Sequence, residues 1–108
     1  MGFKLKKVMH NGVPVLELHG RVSGGDTLKV SHKLEALSKK KFDKVIVDLS
    51  KIDFLDSSWL GIFIYSWKLF NEYKKQLIFL IPPGVILDIF RSARLDTTFT
   101  IIDSLDNL

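Results

Sequence analysis

Ile52-Asp53-Phe54-Leu55-Asp56-Ser57-Ser58-Trp59-Leu60-Gly61 is the stretch on which the reading of this chain turns. Just upstream, Val45-Ile46-Val47 with Leu49 forms a short continuous apolar run, the pattern of a fully buried, often parallel, strand. Ser50 to Asp56 reads as a loop, its acids Asp53 and Asp56 joining Asp48. From about Ser57 to Lys74 apolar residues recur at helical spacing. A buried strand ends, a short loop crosses the sheet edge, and a helix begins at a serine pair.

Working outward, Phe3 to Met9 alternates as a strand with one wet face, and His10-Asn11-Gly12 carries a strong hairpin signal. Val13 to His19 alternates with both faces partly apolar, so that strand is interior. Gly20 to Gly25 is a loop, and Asp26 or Thr27 can cap a helix striped by Leu28, Val30, Leu34 and Leu37. Beyond the long helix lie a buried strand (Gln76 to Ile81), a short helix (Val85 to Arg94) and a last strand (Phe99 to Ile102). Asp103-Ser104 starts a final turn. The order ββαβαβαβ(α) predicts one α/β domain over residues 1–108, a mixed four- to five-stranded sheet with helices packed against it.

At 108 residues, 46% hydrophobic and 26% charged, the composition is that of an ordinary soluble domain. The absence of cysteine excludes disulfides, thiol catalysis and cysteine-held metals. With no apolar run near the roughly 20 residues of a membrane span and no signal-peptide pattern, the expectation is a cytoplasmic protein. The net charge is +4, with 11 Lys/Arg against 6 Asp/Glu in residues 1–54. No aromatic–basic interleaving accompanies that excess, so it reads as a solvated lysine surface rather than a nucleic-acid site.

The serine pair carries the chemistry. In open α/β sheets sites form outside the carboxyl ends of strands. A helix start there offers unpaired N–H groups and partial positive charge, so phosphate on Ser57 or Ser58 would be held without unwinding the helix. Asp56, Ser57 and Ser58 are equally good as plain N-cap residues. Along the helix, Leu60, Phe63, Ile64, Trp67 and Phe70 form a stripe that should face the sheet. Trp59, Ile62, Tyr65, Leu69 and Tyr73 form a second stripe, covered by the neighbouring helix or left for a partner or a second copy of the chain. Ser66 reads as polar surface.

Nearly the whole chain resembles the STAS family, in particular the bacterial anti-sigma factor antagonists. The resemblance runs from the opening hairpin and Gly20 through Val45-Ile46-Val47-Asp48-Leu49-Ser50 to Phe99-Thr100-Ile101-Ile102-Asp103-Ser104-Leu105. Its most specific element is Phe54-Leu55-Asp56-Ser57-Ser58-Trp59-Leu60-Gly61. The resemblance implies that Ser57 is the phosphoacceptor, with Ser58 the second choice and Asp56 its acidic neighbour. It implies as partners an anti-sigma factor serine kinase, captured by the unphosphorylated form so that a sigma factor is freed, and a phosphatase of the PP2C type. The partner surface would comprise Asp56, Ser57, Ser58, Trp59 and Ile62 with Ser23, Gly24 and Gly25 of the nearby loop. Two departures stand out. Trp59 replaces the family's Gly, where a kinase would meet an indole, or a divergent partner an anchor. Arg21 and Ser23 stand where many members carry acids.

Other chemistry finds little support. His10, His19 and His32 lack zinc-site spacing, and no histidine follows Ser57 to activate it. Asp48, Asp53 and Asp56 read as loop caps before they read as Mg²⁺ ligands. There is no phosphate-binding glycine motif beyond Gly24-Gly25. No catalytic residue, metal or cofactor is assigned. The expected function is a phospho-switched, non-enzymatic binding module. The alternatives are a phosphorylation-independent scaffold or transporter-associated subunit and a small nucleotide-binding enzyme.

Overall fold

In the computed structural model, which describes residues 3–21 and 24–108, two positive φ angles, 51° at Asn11 and 82° at Gly12, reverse the chain. A hairpin turn of that hand matches the twist of the strands it joins, β1 (Phe3–His10) and β2 (Val13–Arg21). A 3₁₀ turn (Gly24–Asp26) leads into α1 (Thr27–Ser38). Then come β3 (Lys44–Phe54), α2 (Ser57–Glu72), β4 (Gln76–Leu80), α3 (Val85–Ser92), β5 (Thr100–Ile102) and a 3₁₀ turn (Leu105–Asn107). The strands lie in chain order, β1 antiparallel to β2 and the other pairs parallel. This is the mixed α/β sheet that the sequence predicts.

Strict chain order has a geometric consequence. Right-handed crossovers between successive neighbours all fall on one side of a sheet. The larger core agrees: Val30 and Leu34 of α1, Trp59, Phe63 and Phe70 of α2, and Leu87 and Phe90 of α3 pack with Leu16, Leu18, Val45, Val47, Leu77 and Phe79. The opposite face buries a smaller cluster, Val15, Ile46, Ile78 and Leu80, covered by Val8, Val13, Ile102 and Leu105. The interior strands are therefore apolar on both faces, and continuous apolar runs result.

Aromatic rings tie the larger core together. Phe63 meets Phe79 edge-on at 5.2 Å, and Phe79 stacks on Phe99 at 4.6 Å. Phe90 lies 6.2 Å from Phe63, and Trp67 5.7 Å from Phe99. Ser66, expected at the surface, is buried. It sits between Phe63 and Phe70 on the inward face, three and four residues away, where helical spacing overrides polarity.

β3 runs five residues past the end its apolar pattern suggests, so Ser50 to Phe54 are strand rather than loop. The register explains why the alternation broke. Glu17 pairs with Asp48 but His19 with Lys51, and Gly20 pairs with Ile52 but Arg21 with Phe54. At each step β3 uses one residue more than β2, which makes two bulges. Asp48 is only 2% exposed. Its carboxylate accepts from the Ser50 amide at 2.8 Å, the Ser50 hydroxyl at 2.6 Å and the Lys51 ammonium at 3.2 Å. A buried carboxylate needs such partners, and here they also hold the first bulge.

The crossovers through α2 and α3 end their helices in the same way. Past α2, the amide of Lys75 returns to the Phe70 carbonyl and that of Lys74 to Asn71; past α3, Leu95 returns to Phe90 and Arg94 to Arg91. This pattern needs a left-handed residue, and Lys74 and Arg94 supply it with φ of 59° each. Side chains with a Cβ are strained there. Arg94→Gly should therefore raise stability by about 1 kcal/mol, and Tm by about 4 °C. Phe79→Ala should cost about 3–5 kcal/mol through the cavity it leaves. Urea denaturation of both variants checks these signs, and an unchanged midpoint for Phe79→Ala would contradict the packing described.

Candidate functional site

The bulges carry β3 to the sheet edge, and two buried side chains then fix the short connection into α2. Leu55 and Trp59 both lie in the main core. Between them Asp56 is half-buried, and Ser57 and Ser58 are exposed. On the neighbouring strand the Arg21 guanidinium sits 4.1 Å above the Phe54 ring, joining the ends of β2 and β3.

Within this frame the serines differ. Asp56 is the N-cap of α2, with extended backbone (φ −95°, ψ 171°), and its carboxylate accepts the Ser58 amide at 3.1 Å. The Ser58 hydroxyl donates to the same oxygen at 2.5 Å. Ser57 takes the first helical position and has no part in that cap. The carboxylate lies against the positive end of the helix, where its charge is favourable. The site thus presents one hydroxyl bound to an acid and one facing solvent.

Trp59 is not where the sequence suggests. It is 0% exposed, 6.0 Å from Phe3 and 5.8 Å from Phe63 by ring centroids. It therefore cannot serve as a surface anchor, and it does not stand in the way of an approach to Ser57. Position 59 is four residues before Phe63 on one helical face, and β1 supplies Phe3 as a lid. Ile62 and Leu69 of the same stripe are half-buried, while Tyr65 and Tyr73 remain exposed. α1 lies alongside α2 and shares its core, through Val30, Leu34 and Leu37.

Gly24 and Gly25 follow the end of β2, at the same sheet end as the serine pair; Ser23 lies outside the described residues. Sequence reasoning missed one neighbour. A cleft of about 210 Å³ between the end of β3 and the start of α3 is bordered by Ile52, Asp53, Gly84 and Val85. Val85 is 74% exposed, an apolar side chain beside the site. Among the described residues, no three His, Asp or Glu side chains are grouped to hold a metal ion. No helix among them is long and apolar enough to cross a membrane.

The two ends of this segment should respond differently to truncation. Asp56→Ala removes one cap and should cost about 1 kcal/mol. Trp59→Ala opens the core and should cost about 3–5 kcal/mol. Equal losses in denaturant unfolding would contradict the inward placement of the indole.

Comparison with known proteins places this arrangement. The family model of the STAS domain matches residues 4–108. An anti-sigma F factor antagonist of Paenibacillus polymyxa is 26% identical over 73 residues, 67% of this chain. The match spans only 62% of that relative's length. Among solved structures, an anti-sigma factor antagonist from Mycobacterium paratuberculosis superposes with a TM-score of 0.86 at 19% identity, over 98% of this chain and 90% of that one. SpoIIAA in its unphosphorylated form gives 0.73 at 16% identity, over 98% and 92% of the two chains. The Bacillus SpoIIAA in its phosphorylated form gives 0.72 at 16%, over 98% and 96%. At these identities the superpositions speak for the fold, and the family match speaks for descent: the chain belongs to the STAS domain family.

Proposed function

We propose that this protein is a cytoplasmic anti-sigma factor antagonist, a binding module and not an enzyme, switched by phosphorylation of Ser57. In this reading the unphosphorylated chain captures an anti-sigma factor that is also a serine kinase, and so frees a sigma factor. Transfer to Ser57 ends the capture, and a PP2C-type phosphatase restores it. The observation that carries the proposal is the division between the two serines. The Ser58 hydroxyl is bound to Asp56, whereas Ser57 is exposed on the first turn of α2.

The physical chemistry supports a switch that works without refolding. A phosphate on Ser57 sits at the positive end of a helix anchored by Leu55 and Trp59. It adds nearly two negative charges close to Asp56, on a surface the partner must cover. Like charges desolvated together in an interface oppose binding far more than they disturb a solvated helix end. The P. polymyxa relative is described as an antagonist, and SpoIIAA has been solved in both phosphorylation states. Both point the same way. The partner surface in this reading comprises Asp56, Ser57, Ser58 and Ile62 with Gly24 and Gly25, now extended by Val85 and without Trp59.

Incubation with a cognate serine kinase and ATP, followed by mass spectrometry, tests the assignment. Phosphate should appear on Ser57, vanish in Ser57→Ala and persist in Ser58→Ala. Ser57→Asp should unfold within about 2 °C of wild type, since an acid at a helix start is tolerated. The same variant should bind the kinase at least tenfold more weakly. Undiminished binding by Ser57→Asp would instead identify a scaffold indifferent to phosphorylation.

A further inference from the structure

The end of the sheet opposite the serine pair carries most of the molecule's net positive charge. Parallel topology gathers there the C-termini of α1 and α2 and the N-terminus of β3. Lys39, Lys40 and Lys41 follow α1, Lys74 and Lys75 follow α2, and Lys44 opens β3. The Lys75 ammonium donates to the Lys40 carbonyl, and the Gln76 amide to the Asp43 carbonyl at 2.9 Å, so these segments are adjacent. Lys44 pairs with Gln76 across the sheet. All the lysines except Lys75 are exposed. Glu35, Asp43 and Glu72 oppose the six lysines, which leaves a net +3 of the chain's +4. Among the described residues, Lys39 alone of the six has an acidic partner, Glu35 at 3.7 Å.

Helix dipoles account for part of this pattern. A helix C-terminus favours a cation, but the effect falls off within the last turn. It explains a lysine or two at each helix end; it does not reach Lys44 on a strand.

We infer that this end is a docking surface for an anionic lipid bilayer. Three observations favour a bilayer over a nucleic acid. The clustered cations on the α1, α2 and β3 segments are all lysines, hydrated point charges suited to a diffuse anionic surface, while of the two arginines at the end of α3, Arg91 and Arg94, the first already pairs with Asp88 at 3.9 Å. They are spread over several converging segments and not along one groove-sized helix. Tyr73, 47% exposed at the end of α2, supplies an amphipathic ring of the kind that settles at the headgroup level. Docked this way, the domain points Ser57 away from the membrane and leaves it open to a soluble partner. The proposal stands on charge and topology, independently of the phospho-switch.

Co-sedimentation with phosphatidylcholine vesicles containing about a quarter phosphatidylglycerol, at low ionic strength, tests it. Wild-type protein should sediment with these vesicles, be released by salt, and stay in solution with pure phosphatidylcholine. The triple variant Lys40→Glu, Lys41→Glu, Lys44→Glu should partition about a hundredfold more weakly. A control with the same charge change on the edge strand, Lys4→Glu, Lys6→Glu, Lys7→Glu, should lose less than about a tenth of that factor. Circular dichroism confirms that both variants fold, and the wild-type comparison of the two vesicle types needs neither. The proposal is overturned if wild type ignores the anionic vesicles, if both triples lose binding equally, or if duplex DNA binds more tightly at matched phosphate concentration.

Discussion

The seating of α2 on the sheet is the contact on which the rest of the molecule depends. Phe63 packs edge-on against Phe79 of β4 while Trp59 closes over Phe3 of β1. One helix thereby spans the width of the sheet, from the antiparallel edge strand to the fourth strand. Aromatic pairs prefer offset and edge-to-face geometry, so they define a helix's rotation as well as its distance. Rotation matters here. A helix turned by one residue, about 100°, would bury a serine hydroxyl and expose an indole.

That rotation decides what the helix start presents. Leu55 and Trp59 are drawn into the core on either side of the serine pair, and the three polar residues between them have only the rim to occupy. Asp56 then bonds both the amide and the hydroxyl of Ser58, which caps the helix and uses up one of the two hydroxyls. A site that can take a dianion without refolding needs a rigid base, an open hydroxyl and favourable electrostatics. Packing supplies the first and second, the helix dipole the third. The bulges in β3, held from behind by the buried Asp48, set where the connection emerges.

The same topology sorts charge along the molecule. Parallel strands with helices returning on one face place strand ends and helix starts together, and helix ends with strand starts at the other pole. Asp53 and Asp56 fall at the first pole and six lysines at the second. Acids at helix starts and cations at helix ends are each locally favourable. The sum is a domain with the serine pair at one end and the lysines at the other, set by architecture before any partner is present.

Much of this was legible in one sequence. Alternation, the Asn11-Gly12 turn and the apolar runs are local signals, and they determined the order of elements, the α/β class and the start of α2 at Ser57, because neighbouring residues alone decide turns, caps and periodicity. The tertiary structure decided everything that depends on rotation or register. It turned Trp59 inward, because Phe3 arrives over it from a strand more than fifty residues away in the chain. It buried Ser66, which lies on the inward face whatever its polarity. It extended β3 through Ser50–Phe54, where bulges break the period that would mark a strand. It also bound one serine hydroxyl and left the other exposed, a choice between adjacent identical residues that composition and spacing cannot express.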